Sequence, residues 1–207
     1  MADDPEQTPT PAHHAPGGRP SRRLDARGLR GLAHPLRMRI LELLTLDGPA
    51  TATRLTARLG ENTGTISWHL RHLAEHGFIE EETGRGTRRE RWWRRTEADN
   101  DLYTADFRDD PGSRGPLSVY LHELVRLHFN RVTDYVNEDW DDTWRRAGTV
   151  ADWPGLRLTP EQLAALNAEL FDVIARHTPP PDAAAAPDAL PVVVQLQSFP
   201  RRERGET

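Results

Sequence analysis

The sequence predicts a mainly α-helical protein with a small β component, in which an N-terminal domain precedes a C-terminal helical or α+β region. Several segments place leucine and isoleucine at the three- and four-residue spacing of amphipathic helices. One short hairpin pattern, over residues 78–94, is rich in arginine and tryptophan. Only 36% of the 207 residues are hydrophobic, which is low for one globule and indicates tail or linker segments.

The composition excludes several classes of protein. The chain has no cysteine, so disulfides, thiolate metal sites and thiol catalysis are excluded. No run approaches 18 apolar residues, and the acidic, proline-containing start lacks the apolar stretch of a secretory signal. We therefore expect a cytoplasmic protein without a membrane segment, and no motif calls for a cofactor.

The net charge of −5 hides an uneven distribution along the chain. Residues 1–18 carry three acids and no arginine, whereas residues 19–96 carry 16 arginines against 9 acids. Residues 97–207 carry 11 arginines against 20 acids. A basic block joined to an acidic one indicates a polyanion-binding domain beside a region with another task. Every basic residue is arginine, which compositional bias explains better than a need for bidentate contacts.

The first elements are a tail and three short helices. Residues 1–21 are rich in proline, alanine and threonine without an apolar period, and we interpret them as a disordered tail. A first helix is predicted over residues 24–33, and Pro35 suits the first turn of the second. A third is predicted over residues 51–59. The second helix places four apolar residues on one face: Leu36, Ile40, Leu43 and Leu44.

The fourth helix has distinct boundaries and a distinct apolar face. Asn62 is a favourable N-cap for a helix over residues 63–76, and Gly77 is a favourable C-terminal glycine. Its apolar face consists of Ile66, Leu70 and Leu73. The hairpin follows directly. Four helices and a hairpin in this order match a winged helix-turn-helix domain, which we place at residues 22–96.

The opposite face of the fourth helix carries small, hydrogen-bonding and aromatic side chains. Such a surface fits the major groove of DNA when the N-terminal half of the helix enters first. Hydroxyl and guanidinium groups can then bond phosphates or base edges. An alternative for the tryptophan is packing against the preceding helix. The candidate DNA-binding residues on this helix are Thr63, Thr65, Ser67, Trp68, Arg71 and His72.

The hairpin is predicted to be a cationic wing. Six arginines fall within residues 85–95, accompanied there by a single acid, Glu90. Arginines that neutralise phosphates release counterions, so affinity should fall steeply with salt. The adjacent Trp92 and Trp93 face opposite sides of a strand, and one of them should pack into the domain. A solvated charge run is the alternative. The candidate DNA-binding residues here are Arg85, Arg88, Arg89 and Arg91.

Three histidines lie on one flank of the fourth helix, at positions 69, 72 and 76. Their spacing resembles that of a metal site, but no fourth ligand is evident in the sequence. We expect no metal here and interpret His69 as a semi-buried support for the helix.

These residues also carry a family resemblance. LAHPLRMRILELL, a helix ending ARLG, and NTGTISWHLRHLAEHGFIEE before the wing resemble the ArsR-type winged-helix repressors. The resemblance covers residues 24–96 and implies a homodimer that binds an inverted-repeat operator in double-stranded DNA and responds to an inducer. The matching positions are Pro35, Arg37, Ile40 and Leu41 in the second helix, and Ser67, His69, Leu70, Leu73 and Gly77 in and after the fourth.

The chain departs from the metal-sensing members of that family. Those proteins use a cysteine pair before the recognition helix, or aspartate and histidine pairs on the last helix, and this chain has no cysteine. His122 and His128 are six residues apart, so they lie on different sides of a helix. Sensing through a thiolate-bound metal is not expected.

Beyond the wing, residues 97–115 are polar and are predicted to be a linker. Residues 116–200 are predicted to form the second region, with helices over 116–147 and from Thr159 to about residue 177. The β-branched segment 190–199 predicts a strand, and residues 201–207 a tail.

The second region is predicted to dimerise the protein, because an amphipathic helix must bury its apolar stripe. The residues that mark that stripe are Leu117, Leu121, Leu124, Val132, Tyr135 and Val136. An organic-ligand pocket is a further expectation, and a plain helical core without ligand is its alternative. The candidate pocket residues are His128, Tyr135, Trp140 and Trp144.

The features of the sequence favour one class of function over two others. The favoured one is a sequence-specific transcriptional regulator, which we expect to be a dimeric repressor. The alternative is a winged-helix adaptor that binds a protein or RNA. An enzyme is not expected, because no nucleophile–base pair, phosphate loop or metal spacing is present in the sequence.

Overall fold

The computed structural model describes residues 21–85, 90–102, 104–107, 110–180 and 183–202. The predicted N-terminal tail lies outside the described residues except for its last residue. The predicted C-terminal tail is described at its first two residues alone.

Four helices open the chain, as predicted: α1 Ala26–Leu32, α2 Pro35–Leu46, α3 Ala52–Leu59 and α4 Thr63–Glu75. Their starts are fixed by capping side chains, because the first N–H groups of a helix have no partner within it. The Asn62 carboxamide oxygen accepts from the N–H of Thr65 at 2.8 Å. Gly60, with φ +69°, ends α3 in the left-handed conformation that glycine adopts without strain.

The core of this first domain lies between the four helices and a small sheet. Ile66, Leu70 and Leu73 are all fully buried, which confirms the predicted apolar face of α4. Burial of one such side chain contributes roughly 1.5–3 kcal/mol. Other helices and the hairpin supply the rest of the cluster, which includes Leu29, Leu32, Ile40, Leu55, Phe78 and Trp93.

The sheet contains the predicted hairpin and one strand that was not predicted. Strands β3 Ile79–Glu81 and β4 Trp92–Arg95 pair antiparallel, which confirms the hairpin. The short strand β2 Ala50–Thr51 adds to the other side of β4. Two residues are too few to show an alternating pattern, so β2 could not be predicted.

A second, two-stranded pairing joins the boundary between the predicted tail and the predicted domain to the predicted linker. Strand β1 Ser21–Arg23 runs parallel to β5 Asp99–Asp101. Beyond β5, Thr104–Phe107 form a 3₁₀ turn whose Phe107 is buried in the core. The prediction of residues 97–115 as a plain linker is therefore wrong in structural terms. Backbone pairing of polar residues leaves no hydrophobic period in the sequence.

Three further helices follow: α5 Pro111–Asn137, α6 Asp142–Ala147 and α7 Pro160–His177. The single helix predicted over residues 116–147 is thus two helices, and the first starts five residues earlier. The break arises because Asp141 caps α6 and accepts from two of its N–H groups. The capping box predicted at Thr159 is confirmed.

Helix α5 joins the C-terminal region to the first domain. It contacts α1 and α2, and the guanidinium of Arg131 pairs with the Glu42 carboxylate of α2 at 2.8 Å. Leu117 packs against the core of the first domain. A second apolar stripe on α5, formed by Val125, Phe129 and Val136, is 60–68% exposed, and of these residues only Val136 belongs to the predicted stripe.

The strand predicted over residues 190–199 is wrong, because the segment pairs with no described strand. Its β-branched residues confer a propensity, but a strand also needs a neighbouring strand. Val192 is 70% exposed, whereas the side-chain amide of Gln195 donates to the carbonyl of His128 at 3.3 Å. None of the helices within the described residues is long and apolar enough to cross a bilayer.

Candidate nucleic-acid interface

Helices α3 and α4 form a two-helix unit whose turn leaves the start of α4 at the surface. The Thr51 hydroxyl caps α3 by accepting from the N–H of Arg54 at 3.3 Å. After Gly60, the Thr56 hydroxyl donates to the Thr63 hydroxyl at 3.5 Å, which ties the second turn of α3 to the first residue of α4. The buried face of α4 is fixed by the core, so its opposite face is held rigidly toward solvent.

The six candidate residues of α4 share this outer surface. Thr63 and Arg71 are exposed, while Thr65, Ser67 and His72 are half-buried. The guanidinium of Arg71 donates through Nε to the carbonyl of Ser67 at 3.3 Å, which lays the side chain along the helix. Its remaining N–H groups point away from that bond and are available to a base edge or phosphate.

Trp68 contacts side chains of its own helix. Its ring stacks on His72 at a centroid distance of 5.4 Å and meets His69 edge-on at 4.8 Å. The side chain remains 52% exposed. Together with Arg71 and Glu75, Trp68 and His72 line a shallow surface depression. An indole held flat and half-exposed suits contact with a sugar or a thymine methyl group.

His69 lies on the inner side of α4 and is buried. Its ring is 4.6 Å from that of His34, the residue that caps α2. Burial, reinforced by His34, Arg37 and His72, lowers the pKa of His69 to about 4. The imidazole is therefore neutral at physiological pH and packs as part of the helix support, as the sequence predicts.

The rings of the other two histidines of the flank are in contact at a tilted angle. The rings of His72 and His76 are 4.3 Å apart, and His76 also lies parallel to Phe78 at 6.4 Å. Burial and the charge of Arg37 lower the pKa of His72. Across the part of the chain that the structure describes, no group of three or more histidines and carboxylates is placed to hold a metal ion.

The wing is less cationic than residues 85–95 alone suggest. Three glutamates in and just after β3 accept ion pairs from wing arginines, so residues 79–95 hold six arginines and four acids. Exposed pairs of this kind contribute at most about 1 kcal/mol, so a phosphate can replace the carboxylate. The pairs are Arg94–Glu80 at 2.5 Å, Arg85–Glu82 at 3.6 Å and Arg91–Glu81 at 3.8 Å.

Two wing candidates, Arg88 and Arg89, lie outside the described residues. Arg85 and Arg91 are exposed on either side of that gap. The role of these four arginines in DNA binding remains a prediction from the sequence.

The adjacent tryptophans divide as expected, although both are buried. Trp93 belongs to the core cluster. Trp92 faces the other way, where the guanidinium carbon of Arg54 is 4.7 Å from its ring centroid and that of Arg85 is 4.3 Å. Arg54 was not among the candidates. It lies on the helix before α4, and no sequence spacing indicates that it meets the wing.

The C-terminal candidates are not all brought together. Leu121 and Leu124 are half-buried on the inner side of α5, the side on which Leu117 meets the core. The rings of Tyr135 and Trp140 lie 6.1 Å apart, and the Trp140 indole donates to the carbonyl of Tyr135 at 3.1 Å. The last two candidates are placed separately: Trp144 is half-buried in α6, and His128 Nδ1 bonds the side-chain amide of Gln197 at 2.8 Å.

Comparison with known proteins agrees with this geometry. Residues 32–82 match a family model described as a helix-turn-helix domain. This chain contains a helix-turn-helix domain. The matched residues run from the end of α1 through β3, so the domain includes α3 and α4, while β4 of the wing lies beyond the match.

No curated protein matches the chain. Among solved structures, reduced HlyU from Vibrio cholerae N16961 is 19% identical, covers 48% of this chain and 80% of its own, and gives a TM-score of 0.30. A possible transcriptional regulator for arsenical resistance is 23% identical, covers 60% of this chain and 98% of its own, and gives a TM-score of 0.31.

Proposed function

We propose that this protein is a sequence-specific DNA-binding transcriptional regulator of the ArsR type, acting as a homodimeric repressor on an inverted-repeat operator. One observation carries the proposal. The helix-turn-helix domain holds the polar and aromatic face of α4 outward beside an arginine-bearing hairpin. Those are the two elements by which winged helices enter and straddle a duplex.

The face of α4 supports base reading because its groups differ in chemistry along the helix. Hydroxyls at Thr63, Thr65 and Ser67 occupy the N-terminal half, which enters a groove first. Arg71 follows one turn later and can pair with guanine in a bidentate contact. The core beneath fixes the helix, so these groups are presented without a large ordering cost.

The exposed stripe of α5 supports a dimer. Val125, Phe129 and Val136 fall within about 40° of one another around the helix, and roughly 90° from the inner stripe that contains Leu117. Three exposed apolar side chains in one line form a surface that a second copy of the chain could cover. A two-fold pairing of this stripe would present two α4 helices to two half-sites. The Tyr135–Trp140 pair, around the C-terminal end of α5, is the candidate contact for an organic inducer.

DNA reading is tested by selecting duplexes from a random pool and measuring affinity for the enriched sequence. We expect an enriched inverted repeat. Arg71→Ala should weaken binding to it by about 1–3 kcal/mol and relax selectivity at one position of each half-site. Arg176→Ala, an exposed arginine on α7, is the charge-matched control and should bind as the native protein does. A pool without enrichment would contradict the proposal and favour a protein- or RNA-binding role.

The dimer is tested by sedimentation equilibrium of Phe129→Glu and Val119→Glu. Both residues are exposed on α5, but Val119 lies away from the stripe. We expect the Phe129 variant to be monomeric and the Val119 variant to remain dimeric. A dimer that survives Phe129→Glu would place the interface elsewhere.

A further inference from the structure

Residues from three separate parts of the helix-turn-helix domain and wing meet at one indole. Trp92 comes from β4, Arg54 from α3, and Arg85 from the turn end of the hairpin. The guanidinium carbons of the two arginines lie 4.7 and 4.3 Å from the Trp92 ring centroid. The two guanidinium carbons are therefore at most 9.0 Å apart.

The Trp92 ring brings two positively charged side chains close together. Trp92 is 7% exposed, but both arginines that stack on it are exposed. Arg85 has Glu82 at 3.6 Å, a pair that is too exposed and too long to neutralise it strongly. No described acid forms an ion pair with Arg54. Like charges held this close favour an anion between or across them.

Stacking also orients the two guanidiniums. A guanidinium that lies over an aromatic face uses its flat surface for the contact, so its N–H edge remains available for hydrogen bonds. That edge matches a phosphate group, which accepts two parallel N–H bonds. Because the Trp92 ring is buried, it offers both guanidiniums a fixed surface on which to pack.

We propose that Arg54, Trp92 and Arg85 form a phosphate clamp that holds the sugar-phosphate backbone between α3 and the wing. The inference rests on the proposed DNA-binding function and adds to it a site with a separate role. Successive phosphates of one strand advance 3.4 Å along the axis of B-DNA and are farther apart along the backbone, because they also turn about the axis. Two guanidinium carbons at most 9.0 Å apart can therefore reach one phosphate or two neighbouring ones. Phosphate contacts fix the register of a protein on the duplex but carry no sequence information.

The test measures DNA affinity by fluorescence anisotropy between 50 and 200 mM salt, with the selected duplex and a scrambled one. The native protein is compared with Arg54→Ala, Arg85→Ala and the control Arg176→Ala. Each clamp variant should lower the slope of log affinity against log salt by about 0.9, so the loss of affinity across this range becomes about 3.5-fold smaller. Both duplexes should weaken equally, and the control should keep the native slope.

The role of Trp92 is tested by coupling. In a Trp92→Leu background, Arg54→Ala should have a smaller effect than in the native protein, because the guanidinium is no longer held. If Trp92→Leu fails to fold, Arg54→Lys replaces it, since lysine keeps the charge but cannot stack as a plane. That variant should keep the native slope and bind more weakly at every salt concentration.

The outcomes separate the clamp from the wider function. A native slope in both Arg54→Ala and Arg85→Ala, with binding otherwise intact, overturns the clamp and leaves the regulator proposal standing. Full native affinity of Arg54→Lys overturns the stacking role of Trp92. Absence of salt-dependent duplex binding by the native protein overturns both proposals.

Discussion

Acidification should destabilise the folded protein through His69. Burial and three positively charged or chargeable neighbours, His34, Arg37 and His72, hold the pKa of His69 at about 4, against 6.5 for an exposed imidazole. Between these values the unfolded chain binds a proton that the folded chain does not. Stability is therefore complete above pH 6.5 and falls as the pH decreases toward 4. One pKa unit corresponds to 1.36 kcal/mol, so the loss between pH 7.5 and pH 5 is about 1–2 kcal/mol.

The assay is urea unfolding followed by far-ultraviolet circular dichroism at both pH values, for the native protein and for His69→Gln. Glutamine keeps a polar side chain of similar reach but does not titrate. The free energy of unfolding of His69→Gln should fall less between the two pH values, by about 1–2 kcal/mol, while groups common to both proteins cancel. An equal fall in the two proteins would show that His69 titrates normally and that the described burial is wrong.

Three substitutions test the packing that positions α4, each by urea unfolding. Asn62→Ala removes the helix cap and should cost about 1 kcal/mol, whereas Asn62→Ser should retain most of it. Leu70→Ala should cost about 2–5 kcal/mol, against a small change for Leu46→Ala at an exposed site. Gly31→Ala should lower the free energy of unfolding by about 1–3 kcal/mol, although alanine favours helices more than glycine does, because the new methyl would lie 2.6 Å from the ring of His76. A neutral result at either buried site would contradict the described contact.

The sequence predicted α4 and its faces because every local signal agreed. Asn62, the spacing of Ile66, Leu70 and Leu73, and the glycine after the helix all specify the same boundaries. That glycine has φ +71°, and the following N–H returns to the carbonyl of Leu73. The candidate face of α4 followed from the same period, so its positions were available without tertiary information.

Features that depend on contacts between distant segments could not be predicted. The pairing of β1 with β5 uses backbone groups of polar residues, which leave no periodic signal. The stacking of Arg54 on Trp92 depends on how α3 meets the hairpin. The partial neutralisation of the wing, by contrast, could have been predicted. Glu80, Glu81 and Glu82 lie in and just after the first strand of the hairpin, and antiparallel pairing places them near the arginines of the second strand and the turn.

In the C-terminal region the apolar patterns were visible in the sequence, but their packing partners were not. The β-branched segment at residues 190–199 predicted a strand, but the described chain offers it no neighbouring strand. The apolar residues of α5 form two stripes rather than one, and the inner one packs on the protein's own first domain. The sequence alone could not assign each stripe to its partner, because both have helical spacing.

The central claim is that the α4 face and the wing read duplex DNA. The most direct measurement is fluorescence anisotropy of the full chain with the DNA upstream of its own gene and with a scrambled duplex of equal length, at two salt concentrations. The account predicts tighter binding to the upstream DNA, and affinity for both duplexes that decreases as salt increases. Equal and weak binding to both duplexes would contradict it, and would leave the arginine wing as a polyanion patch without sequence selectivity.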